Sequence, residues 1–219
     1  MPTFELVERA SQMNSYLLFV SLLSLTFVAY ARIGTPDAIN LSWKRFWKMS
    51  RTESFGFDDD KIRPETQTFL LINFFIAFSL SVYLFLLSYF PKELAAVLSL
   101  IWVAIYITSQ MLNFRIALII TDQWHLSTQL ADINKQIWSF SGLVYLSITF
   151  LWLIYGQAHV ALRSIFLAVL IAAYIWRQVK AWRACHQANL EWYYLILYLC
   201  ALEIMPVLFL WHWFSGEYN

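Results

Sequence analysis

The chain has 219 residues, of which 60% are hydrophobic and only 13% charged, with a formal net charge of +1. A soluble domain carries about 45–50% apolar and about 25% charged residues. The composition therefore excludes an ordinary soluble domain, and the near-zero net charge gives no argument for nucleic acid.

The apolar residues are gathered into six runs long enough to cross a hydrocarbon core of about 30 Å. They lie at about 16–33, 69–90, 94–112, 137–155, 160–176 and 192–214. In lipid each span must satisfy its own backbone polar groups, so each is expected to be a helix. The expected fold is all-α: a polytopic membrane protein of about six transmembrane helices, forming a single domain over residues 1–219. Ahead of the first run stand Glu5, Glu8 and Arg9. Ala29-Tyr30-Ala31 has the form of a signal cleavage site, but the leader lacks the usual basic start, so the first helix is expected to stay uncleaved.

After the first span, residues 39–51 read Ile-Asn-Leu-Ser-Trp-Lys-Arg-Phe-Trp-Lys-Met-Ser-Arg. Ile39, Trp43, Phe46 and Trp47 share one side, and Lys44, Arg45, Lys48 and Arg51 fill much of the rest. This is the pattern of an amphipathic helix lying in the headgroup region. Its residues Trp43, Lys44, Phe46, Trp47, Lys48 and Arg51 form a candidate membrane-surface helix, either a topology anchor or a docking surface for anionic lipid or a partner. Asp58-Asp59-Asp60 follows without a glycine-centred ligand loop and reads as a solvated turn.

The stretch 113–136 admits two readings: a cytoplasmic extension of the third helix, or a separate surface helix. Beyond the fifth span, Arg177, Lys180 and Arg183 extend the helix and are expected to snorkel toward the interface. The two cysteines, Cys185 and Cys200, have no metal-ligand spacing. Cys200 falls within a span and Cys185 in a loop, so no disulfide is expected between them.

Charge sets the orientation. Arg32, Lys44, Arg45, Lys48, Arg51, Lys61, Arg63, Arg115, Lys135, Arg177, Lys180 and Arg183 fall on one side, against Arg9, Lys92 and Arg163 on the other. Cytoplasmic loops carry the excess of Lys and Arg. The loops after the first, third and fifth spans are thus expected in the cytoplasm, with both termini outside. Tyr16, Tyr89, Trp138, Tyr155, Trp176, Trp192, Trp211 and Trp213 fall near the expected interfaces.

Glu203 lies near the middle of the last span, with Pro206 three residues on. A charge near the bilayer centre costs about 2.5–3.5 kcal/mol by insertion scales, which makes Glu203 a functional-site candidate. Pro206 cannot donate to the carbonyl of Leu202, leaving a free acceptor beside the carboxyl. Hydrogen-bonding groups at comparable depth include Ser79, Tyr106 and Ser147, and Asn73 is a second buried polar group nearer the inner face. Glu203 is either a protonated helix tie or a site for a proton, cation or amine. His159 and His212 share a side but have no second carboxylate beside them. No phosphate loop, His-Glu-x-x-His, Gly-x-Ser-x-Gly or Cys-x-x-Cys occurs, so no catalytic, cofactor or metal residue is assigned and the cofactor is unknown.

The last helix carries a resemblance. Leu197-Tyr198-Leu199-Cys200-Ala201-Leu202-Glu203-Ile204-Met205-Pro206 resembles the C-terminal signature of an uncharacterised bacterial inner-membrane family, domain of unknown function 4271. Leu71-Ile72-Asn73-Phe74 resembles the start of that family's second span, and Ile133-Asn134-Lys135 an Asn-Lys pair before a later one. The resemblance implies a bacterial inner (cytoplasmic) membrane location and brings no reaction with it. The leading reading is a non-enzymatic component or scaffold of an envelope assembly. Its partners would be the lipid bilayer and other envelope membrane proteins. The alternative is a small transporter or lipid-handling protein with a midplane carboxylate site at Glu203. An intramembrane enzyme ranks last, because no paired catalytic groups appear.

Overall fold

The computed structural model describes residues 3–47, 62–121, 124–155 and 159–187, and the description below concerns these. Six α-helices occur among them and no strand: α1 (Thr3–Gly34), α2 (Ala38–Trp47), α3 (Pro64–Leu86), α4 (Lys92–Thr121), α5 (Trp124–Tyr155) and α6 (His159–Gln187). Five are long and apolar enough to cross a membrane, all but α2. The sixth apolar run, 192–214, lies outside the described residues.

Local chemistry sets the helix ends. Pro36 cannot extend α1. The chain turns there, with the amide of Thr35 donating to the carbonyl of Ala31 and that of Ala38 to Thr35. Pro64 occupies the first turn of α3, where its missing N–H costs nothing. That starts the helix five residues before the apolar run. At the far end the amides of Tyr89 and Phe90 both donate to the carbonyl of Leu86, and Pro91 closes the turn before α4. Residues 113–136 follow neither sequence reading alone. Their first part continues α4 to Thr121 and their last part is the start of α5 at Trp124.

Cross-helix contacts give the relative directions. Ser24 on α1 reaches Asn73 on α3, and Thr35 reaches Thr66, so these helices are antiparallel. Phe74 stacks on Trp138 and Ser81 bonds Thr149, so α3 and α5 run parallel. Gln110 and Tyr106 on α4, and Arg177 and Phe166 on α6, pair with Asn134, Trp138 and Tyr145 of α5 in the antiparallel sense.

The α3–α5 pair is the core. About half of each of these spans is buried, against about a fifth of α1, α4 and α6. The closest approach is at Gly142, where a Cβ would lie 2.7 Å from the Cα of Phe74. Small residues let membrane helices meet backbone to backbone. Around that point Phe74 stacks on Phe78 and on Trp138 at 5.4 and 5.6 Å. Trp138, expected at an interface, is buried in this stack because α5 begins fourteen residues before it.

Candidate functional site

The end of the bundle where α1 stops and α3 starts is rich in cations. Arg32, Lys44, Arg63, Lys135 and Arg183 are exposed there, while Lys92 and Arg163 stand at the opposite end. Arg163 lies over the ring of Tyr89, 5.7 Å from its centroid.

Two further cations at the basic end do not snorkel as expected. Arg177 and Lys180 are only 3% and 4% exposed. Lys180 meets α2, which folds back against α5 and α6, and Arg177 turns to Asn134 on α5. The inner face of α2 is Ala38, Ser42 and Phe46, all buried. Phe46 packs on Phe140 of α5 at 4.3 Å and on Trp176 of α6 at 6.0 Å. A helix leaves its last four carbonyls without intrahelical partners, and in α2 two of these are met from α6. The indole N–H of Trp176 donates to the carbonyl of Phe46 at 2.7 Å. The ammonium of Lys180 donates to the carbonyl of Arg45 at 2.8 Å and to Oε1 of Gln136 at 3.3 Å. A cation at a helix C-terminus also faces the negative end of the helix dipole. Burial of Lys180 is thus compensated by one backbone oxygen and one side-chain amide.

Next to this clamp runs a chain of amides. The Nε of Arg177 donates to Oδ1 of Asn134 at 2.7 Å. The Nδ2 of Asn134 then donates to Oε1 of Gln110 at 3.4 Å. Asn134 and Gln110 are buried as well. One connected set of side chains thereby fastens α4, α5 and α6, and the Trp176–Lys180 clamp adds α2.

The sequence-derived site residues are dispersed by comparison. Asn73 is fully buried, and its Oδ1 accepts from Ser24 at 2.7 Å. Its Nδ2 has no hydrogen-bond partner and points toward Gly142. Ser79 donates to Phe75 within its own helix. Ser147 is exposed and donates to Leu143. The hydroxyl of Tyr106 accepts from the indole of Trp138 at 3.4 Å. These four do not converge on one another. Glu203 and Pro206 lie outside the described residues, as do Lys48 and Arg51. In the candidate surface helix, Trp43 and Trp47 are half exposed and Lys44 is exposed, whereas Phe46 faces protein. Among the described residues no group of three His, Cys, Asp or Glu is placed to hold a metal.

Sequence reasoning missed the Gln110–Asn134–Arg177 chain. The available signal was Trp176, Arg177 and Lys180 following an apolar run at helical spacing. It could not say whether those heads meet water or a neighbouring helix end.

A family model described as Domain of unknown function (DUF4271) matches residues 16–214. No curated protein and no solved structure matches the chain.

Proposed function

The chain belongs to the family described as Domain of unknown function (DUF4271), and we propose that this member is a non-enzymatic scaffold within an envelope assembly. It would sit in the bacterial inner membrane as one multi-pass domain, with the basic end in the cytoplasm and both termini outside. The side-by-side arrangement of polar groups supports this reading. Among the described residues, side chains that bond between spans do so as ties: Ser24 with Asn73, Ser81 with Thr149, and Asn134 with both Gln110 and Arg177. Interhelical bonds of this kind hold spans in register and are worth about 0.6 kcal/mol each on average. The excess of cations at one end supports the orientation. The broad apolar faces of α1, α4 and α6 offer surface for neighbours in the membrane plane.

The test is gentle purification of the whole protein with its native lipids, followed by quantitative mass spectrometry. A scaffold brings envelope membrane proteins with it in fixed proportion. Purification without partners, together with solute or cation flux in proteoliposomes that Glu203→Gln abolishes without unfolding the chain, would replace this reading with transport.

A further inference from the structure

The helix α2 carries two apolar faces, and among the described residues only one is closed. Ala38, Ser42 and Phe46 are spaced four residues apart and buried. Ile39, Trp43 and Trp47 repeat the same spacing on the outer side and remain 44%, 50% and 50% exposed. Their exposure does not come from looseness, because Trp176 and Lys180 hold the last carbonyls of α2. The two outer tryptophans touch edge to face at 5.6 Å. Trp43 leans on Phe140 at 5.2 Å and Trp47 on Trp176 at 5.1 Å. Each ring therefore has one side on protein and part of the other free.

Beside this stripe lie Asn40 and Lys44, both exposed. Tyr30, Arg32 and Ile33 on the last turn of α1 are exposed at the same end, as is Arg63. Of the described acids at that end, Asp37 and Glu65 stand at the N-termini of α2 and α3, where the positive ends of the helix dipoles offset them, and Asp132 on α5 lies 3.8 Å from Lys135. We propose that the outer face of α2 binds anionic phospholipid of the leaflet at the basic end, through Ile39, Trp43 and Trp47 at acyl-boundary depth and Lys44 at the phosphate.

Three considerations select this occupant. Tryptophan is most favourable where one part of the ring meets hydrocarbon and the other meets headgroups. A lysine one residue from Trp43 can reach outward to that headgroup layer while its stem stays apolar. An anionic leaflet attracts surface cations strongly enough to matter for each one. The clamp by Trp176 and Lys180 adds a fixed depth, so the same ring edges meet the same layer in every molecule. This inference requires only that the chain spans a membrane. A failed search for protein partners leaves it standing.

The test uses the whole protein in nanodiscs containing lipids brominated near the top of the acyl chain. These quench tryptophan on contact. Phosphatidylglycerol and phosphatidylcholine are compared at equal mole fraction, for the native chain, Lys44→Gln and the double variant Trp43→Phe/Trp47→Phe. Brominated phosphatidylglycerol is expected to quench more than brominated phosphatidylcholine. The double variant should remove that excess, and Lys44→Gln should lower the preference by about fivefold, as for one cation at an anionic surface. Ile39→Cys carrying a bromine-sensitive fluorophore gives the same readout with all tryptophans in place, should the double variant not fold. Equal quenching by both lipids would overturn the anionic preference. No quenching attributable to Trp43, Trp47 or the probe at 39 would assign the face to a protein partner or to water.

Discussion

Gly142→Ala should destabilise the bundle although it adds only a methyl group. The new Cβ would meet the Cα of Phe74 at 2.7 Å, the Cβ of Phe74 at 2.9 Å and Nδ2 of Asn73 at 3.0 Å. Ordinary contact begins near 3.4 Å, so α3 and α5 must part by about 0.7 Å. The first obstacle is backbone, which cannot rotate aside. Overpacking of this kind costs about 1–3 kcal/mol, and replacing glycine within a helix returns about 1 kcal/mol. With rigid atoms on both sides the upper part of the range applies, leaving a net loss of about 1–2 kcal/mol. For a chain of 219 residues that is about 2–8 °C in Tm, at about 2–4 °C per kcal/mol. Heating in mild detergent, followed by fluorescence-detected size-exclusion chromatography, measures it. Gly34→Ala is the control. Its Cβ would meet only the hydroxyl of Thr66, at 2.8 Å, so its Tm should move less. A Gly142→Ala protein as stable as the native chain, or more so, would refute the close approach of α3 and α5.

Three other outcomes are expected. Removing the clamp with Lys180→Met and Trp176→Phe together should leave the spans folded but raise hydrogen exchange across α2, since the donors to the carbonyls of Arg45 and Phe46 are gone; unchanged protection in α2 would show that aromatic packing alone holds it. Asn134→Leu removes the acceptor for Arg177 and should cost about 1.5–3 kcal/mol, as for a hydrogen bond to a charged group, whereas Asn134→Asp keeps that acceptor and should retain most of the native Tm. Topology reporters placed at Asp59, at Glu93 and after Asn219 should report inside, outside and outside, from the distribution of Lys and Arg; a cytoplasmic signal from the C-terminal fusion contradicts that orientation.

Apolar run length was enough to place five of the long helices, because a span must carry about 20 apolar residues whatever its neighbours are. The amphipathic pattern of residues 39–51 was enough to expect α2, and the Pro64 and Pro91 breaks lie where a missing backbone N–H demands them. The extension of α6 through Arg183 was also expected, but the partners of its polar residues and the early start of α5 at Trp124 were not readable this way. Asn134, Arg177 and Lys180 lie beyond the apolar stretches of their helices and bond one another, Gln110 within the third stretch, or α2. Periodicity told that Phe46 and Trp47 are both apolar; packing decided that Phe46 turns to Phe140 and Trp176 while Trp47 stays half exposed. The fate of Lys180 shows the reason most clearly. A lysine after an apolar run snorkels unless another element brings acceptors to it, and here the acceptor is a backbone carbonyl at the end of a helix 135 residues earlier in the chain. The sequence of a span states what lipid will tolerate. Which polar head meets which helix end is a long-range matter, fixed only when the helices pack.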